Sequence, residues 1–148
     1  MHSEGEKTMI DKMRIVLDEG AFKPLRAHDL DAGYDLRTPI DFVLCGTESK
    51  IIDTGVHVEI PAGYVGILKS KSGLNAKASI IGTGTLDAGY TGSIKVVLHK
   101  LEKGVSIFQR GDKIIQLVIF PIETPELEVV DRLDDTERGA NGFGSTGK

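Results

Sequence analysis

The feature that most constrains this chain is the period of its apolar residues, which is two wherever it is regular and nowhere convincingly 3.6. In "VHVEI", Val56, Val58 and Ile60 fall on one face, and in "SIKVVL", Ile94, Val96 and Leu98 do the same. Such alternation gives a pleated strand one face to bury. No window of a dozen residues carries apolar side chains at i, i+3, i+4 and i+7, the spacing a surface helix needs. At most one short helix is expected, near residues 71–78. Turn signals interrupt the apolar runs at Glu19-Gly20, Pro61-Ala62-Gly63, Ser72-Gly73, Gly82-Thr83-Gly84, Ala88-Gly89, Arg110-Gly111-Asp112 and Pro121. Many short strands joined by glycine turns predict an all-β sandwich, barrel or jelly roll.

With 148 residues, one core suffices. A charged fraction of 27% beside 40% hydrophobic residues is the balance of a chain that folds. The net charge of −4 provides no broad cationic surface for a phosphate backbone, so nucleic acid is not expected as a partner. The single cysteine, Cys45, has no partner for an internal disulfide and is read as a small apolar filler. No apolar run is long enough for a signal peptide or a membrane span, and no membrane partner is expected. The chain reads as a soluble, cytoplasmic protein.

The word "LDAGY" occurs at residues 30–34 and again at 86–90. Its flanks, "DLRTPIDF" and "TGSIKVVL", share no identity in register, so the copies are not a duplication. Each favours a turn followed by a tyrosine. They belong to a larger series of five segments: "AGYDL" (32–36), "KSGLNAK" (71–77), "GTGTLDAGYTG" (82–92), "GDKIIQLVI" (111–119) and "RGANGFGSTG" (138–147). In order, spacing and residue type this series resembles the five motifs of the homotrimeric dUTPases, and the likeness spans nearly the whole chain. The resemblance implies a distorted jelly roll of the dUTPase-like, β-clip kind. It also implies a homotrimer with sites between subunits, and Mg²⁺-dependent hydrolysis of dUTP to dUMP and pyrophosphate. That reaction limits uracil incorporation into DNA and supplies dUMP for dTMP synthesis.

Attack of water on an α-phosphorus needs a base, cations and N–H groups for the triphosphate, and a pocket for the nucleoside. By the resemblance, Asp87 orients and deprotonates the water, and the Tyr90 ring lies against the deoxyribose and excludes a 2′-hydroxyl. The "SIIGTG" and "TGSIKVVL" runs would form a hairpin whose main chain reads uracil, with contacts at Gly84 and Lys95. Asp35, one step beyond the first LDAGY, would hold a water of the Mg²⁺ shell. Asp31 is left as a surface turn residue. Ser72 and Gly73 would bind phosphate oxygens, with Gln116 facing the same phosphates. Lys71 stands where the family carries arginine, which keeps the charge and loses the bidentate fork.

The tail has one large apolar residue, Phe143, among glycines and hydroxyls, and is read as a flexible lid over residues 134–148, after an extension (1–12) and a β core (13–133). In it Arg138 would grip the γ-phosphate and Phe143 would stack on uracil, while Gly144, Ser145 and Thr146 would contact phosphate. "GFGSTGK" spells a Walker A loop, but no strand precedes it and no helix can follow Lys148, so that reading is rejected. A related fold, dCTP deaminase, carries a catalytic glutamate ten residues after the turn aspartate. Position 97 here is Val97, which cannot move protons. A nucleotide-sensing interaction module of the same fold is the non-catalytic alternative. The four histidines, His2, His28, His57 and His99, show no metal-ligand spacing and are left as ordinary residues.

Overall fold

The computed structural model of the chain describes residues 9–144 and Gly147. Among them lie ten strands and one helix. In chain order these are β1 (Ile15–Leu17), β2 (Tyr34–Arg37), β3 (Phe42–Cys45), β4 (Ser49–Asp53), β5 (Val56–Val58), β6 (Tyr64–Lys69), α1 (Ser72–Ala78), β7 (Ile80–Leu86), β8 (Lys95–Lys100), β9 (Val105–Phe108) and β10 (Lys113–Pro121). Among the described residues no helix is long and apolar enough to cross a membrane.

All pairings are antiparallel. The main sheet has six strands in the order β2-β10-β6-β7-β8-β4, and two-stranded pieces, β1-β5 and β3-β9, complete a distorted jelly roll. The expected hairpin is present, since Ile80–Thr83 of β7 face Val97–Lys100 of β8. The alternating runs behave as their period requires: Val56, Val58, Ile60, Ile94, Val96 and Leu98 are all buried. They join Leu36, Leu44, Ile52, Leu68, Ile114, Ile115 and Leu117 in one core. Each such side chain removed from water contributes about 1.5–3 kcal/mol. Phe42 and Phe108 stack across β3 and β9 with ring centroids 4.5 Å apart.

Three readings of the sequence need correction. Gly82 and Gly84 are not turn residues but lie inside β7. A Cβ at Gly82 would stand 2.9 Å from Ile115 Cδ1, and one at Gly84 would stand 3.0 Å from Leu68 Cδ1, so a side chain at either place would crowd the core residues packed against β7. The short helix expected near residues 71–78 is α1, and Ser72-Gly73, read also as a turn, instead opens it; Leu74, Ala76, Lys77 and Ala78 are good helix formers. The helix ends at Ser79, whose φ of +51° is the one positive value for a non-glycine among the described residues. Cys45 is exposed rather than core. Phe42 and Leu44 take the inner face of β3, and alternation sends Cys45 outward.

Past β10, the Ile122 amide donates to Gly63 O at 2.9 Å. Residues 123–144 are then exposed throughout, Leu127, Val129 and Leu133 included.

Candidate active site

The register of β2 against β10 builds the first half of the site. Asp35 stands opposite Gln116, so both side chains rise on one face, and Gln116 pairs on its other side with Lys69 at the end of β6. The chain leaving β6 therefore delivers Lys71 and Ser72 to the same place. Asp35, Lys71, Ser72 and Gln116, with Asp31, Ala32 and Gly33, line a cleft of about 250 Å³. Gln116 Nε2 donates to Ser70 O at 3.1 Å, and the Ser70 hydroxyl is bonded to both the N–H and the C=O of Gly82 at 2.9 Å. A Cβ on Gly33 would run into the Gln116 side chain, so glycine there lets Gln116 keep its place in the cleft. Gly73 follows Ser72 in the first turn of α1, whose amides have no acceptor within the helix.

Asp35 is the electrostatic centre of the cleft. Its side chain is only 7% exposed, and it is ion-paired with Lys71 and, at 3.3 Å, with Lys113. Burial pushes the carboxyl up, but the hydrogen bonds and charges of Lys71 and then Lys113 outweigh it, leaving Asp35 below the ordinary carboxylate range. Lys113 is a member the sequence reading missed. Three positions from Gln116, it belongs on the opposite face of a regular strand. A bulge between Lys113 and Ile115 turns it back toward Asp35 and buries Ile114 and Ile115 together. Two consecutive apolar residues between polar ones, "KIIQ", were the available signal.

The second LDAGY builds a different half. Its Leu86 ends β7 in the core, whereas Leu30 of the first copy is fully exposed ahead of β2. A turn follows, closed by the Tyr90 amide donating to Asp87 O at 3.1 Å, with Gly89 at φ +101°. Asp87 is exposed, and the half-exposed Tyr90 donates its hydroxyl to Ser93 O at 2.9 Å. Tyr90 is therefore not a core residue. A Cβ at Gly92 would lie 2.6 Å from that hydroxyl oxygen. The turn is anchored from outside: Ser93 donates to Asp53, and His57 Nδ1 meets Thr91 O at 2.8 Å. Hydrogen bonds from Ser93 and the Gly55 amide hold Asp53 below its ordinary range. Gly84 sits in β7 against Leu68, and Lys95 opens β8 opposite Asp53.

Within one chain the two halves lie apart. Lys69 is level with Thr83 and Gly66 with Leu86, so Asp87, just past β7, is level with position 65, four residues along β6 from Lys69, which is itself level with Gln116 and Asp35. At about 3.3 Å per residue the offset is roughly 13 Å. Arg138, which donates to Asn141 O at 2.9 Å, is exposed, as are Phe143 and Gly144, and none of them lines the cleft. Ser145 and Thr146 lie outside the described residues. Among the described residues no group of three or more His, Cys, Asp or Glu side chains could hold a metal directly.

Comparison with known proteins supplies the context for this geometry. The dUTPase family model matches residues 21–147. A deoxyuridine 5'-triphosphate nucleotidohydrolase of Nocardia farcinica is 45% identical over 135 residues, covering 88% of this chain and 82% of its own length. Its counterpart in Corynebacterium glutamicum is 46% identical over 137 residues, 89% of this chain and 91% of its own. Among solved structures, the dUTPase of Staphylococcus bacteriophage 80alpha with dUPNHPP matches with a TM-score of 0.87 and 35% identity, over 94% of this chain and all of that one. A mutant dUTPase from phage phi11 of S. aureus, described for its coordination of a structural Mg(II) ion, matches with a TM-score of 0.78 at 33% identity, over 84% of this chain and all of that one. Agreement in sequence and in shape over most of its length makes this chain a member of the dUTPase family.

Proposed function

We propose that this chain hydrolyses dUTP to dUMP and pyrophosphate, at sites that copies of the chain assemble jointly in a homotrimer. The supporting observation is the roughly 13 Å between the level of Asp35 and Gln116 and that of the Asp87 turn, read from the register of β6 against β7 and β10. A cleft with cations, a hydroxyl and an amide fits a triphosphate, and a turn with a carboxylate and a tyrosine fits water activation and a sugar. Neither is sufficient alone, and neighbouring copies supply each other's missing half. Asp87 takes a proton from water as the oxygen bonds to the α-phosphorus. The bond from that phosphorus to the bridging oxygen breaks, and its electron pair leaves with pyrophosphate. Lys71, Ser72, the Gly73 amide and Gln116 hold the phosphates, Gly84 and Lys95 offer main-chain groups to uracil, and Tyr90 packs on the deoxyribose. Arg138, Phe143, Gly144, Ser145 and Thr146 close the site from the tail.

The donor set fits a magnesium ion carried by the nucleotide. Mg²⁺ keeps several waters and prefers phosphate oxygens, so one carboxylate, Asp35, would hold it through water. When bound it offsets phosphate charge. Lys71 and Lys113 keep Asp35 ionised for that work. In a cell this activity would keep uracil out of DNA and provide dUMP for dTMP synthesis.

The test is pyrophosphate release from dUTP, UTP, dCTP and dTTP with and without Mg²⁺. Release from dUTP alone, at least about 10²-fold lower in Asp87→Asn with dUTP affinity kept, is the expected result. Ammonia from dCTP, or unchanged turnover in Asp87→Asn, would overturn the reading.

A further inference from the structure

Both ring nitrogens of His57 point at oxygens that can only accept. Nδ1 lies 2.8 Å from the main-chain oxygen of Thr91, and Nε2 lies 3.1 Å from both carboxylate oxygens of Asp18. A neutral imidazole has one N–H and can serve one of them, whereas an imidazolium serves both. Thr91 directly follows Tyr90, in the turn that begins at Asp87. Asp18 belongs to the segment after β1, where its own amide donates to Gly55 O at 2.8 Å.

We propose that His57, as an imidazolium, is a positioning residue for dUTP hydrolysis: it ties Thr91 to Asp18 and so fixes the turn that presents Asp87 and Tyr90. The proposal rests on the reading of that turn as catalytic. The charges around the ring favour this state. Asp18 and Asp53 are the anions that act on it, Lys95 bears on Asp53 from β8, and Arg14 and Glu59, which line the same recess beside β5, are spent on each other at 2.5 and 2.8 Å. The Thr91 carbonyl first, and Asp18 next, raise the ring above the ordinary histidine range. The sign follows from that direction. A raised value in the folded chain means that the tie is complete below the ordinary histidine pKa of about 6.5 and is lost as pH climbs through the raised value. Above it, either Thr91 or Asp18 faces a lone pair, and the turn loosens.

The experiment follows kcat/KM for dUTP between about pH 6 and pH 9.5 in the wild-type chain, His57→Gln, Asp18→Asn and Asp87→Asn. Ring ¹⁵N NMR of His57 and amide exchange at residues 90–94 are recorded on the same proteins. In the wild type, kcat/KM should fall about tenfold as His57 loses its proton, the size expected for one charge-assisted hydrogen bond, and exchange at 90–94 should quicken in step. His57→Gln should be low and should lack that alkaline limb. Asp18→Asn should shift the limb to lower pH, and it carries the test if His57→Gln does not fold. A His57 that titrates below the ordinary value, or a His57→Gln profile matching the wild type beside an inactive Asp87→Asn, would overturn the role of His57 and leave the catalytic reading standing. Full turnover in Asp87→Asn would remove that reading first, and the role of His57 with it.

Discussion

Between Lys71 and Lys113, Asp35 is a carboxylate whose burial works against its charge while two ammonium groups work for it, and the balance falls on the charged side. A group depressed in this way contributes stability that is present above its unfolded pKa of about 3.9 and lost as pH falls through the lower folded value. Replacing it with a neutral amide leaves two cations facing each other at the edge of the core. Asp35→Asn is therefore expected to destabilise the fold at pH 7 by about 1–3 kcal/mol, with both lysines partly solvated and able to swing away. Urea unfolding at fixed protein concentration measures it. The deficit should shrink as pH falls through the lowered folded value, where the wild-type carboxyl also becomes neutral, and a deficit unchanged by acid would show that charge is not its source.

At the scale of elements, the close approach of β2 to β10 makes a glycine do the work of a binding residue. The Gly33→Ala methyl must displace the Gln116 side chain, which then leaves Ser70 and the cleft. KM for dUTP should rise by about tenfold while the unfolding midpoint moves little, because the clash is relieved by a side chain at the surface of the cleft. An unchanged KM would count against Gln116 as a phosphate contact. How far such elements could be read in advance depends on whether their physics is local. Alternation in "VHVEI" and "SIKVVL" is local, and it identified β5 and β8 with the right face inward. The short helix before Ser79 was likewise within reach. A glycine needed for close packing looks in one sequence like a glycine needed for a turn, which is why Gly82 and Gly84 were misplaced. The bulge at Lys113 breaks the period on which the reading relied. The five motifs named candidate residues, of which the fold brings Asp35, Lys71, Ser72 and Gln116 to one cleft, but His57 was not legible: its partners Asp18 and Thr91 are 39 and 34 positions away, and nothing in the spacing joins them.

For the whole molecule, the roughly 13 Å offset between cleft and turn has a direct test in mixed assemblies. Asp35→Asn and Asp87→Asn should each be nearly inactive alone. Unfolded and refolded together at equal amounts, they should regain a substantial part of wild-type turnover, because some sites then combine an intact cleft with an intact turn. Light scattering should give a mass near three times 16.0 kDa. Absence of recovery in co-assembled material would place both halves of a site in one chain. The same offset reaches into inheritance. Where a damaged and a sound copy of the gene are expressed together, a chain without Asp87 would silence sites whose clefts belong to healthy partners, yet two differently damaged copies could rescue one another. Whether two damaged copies complement each other would then be decided by whether their mutations fall in the same half of the site.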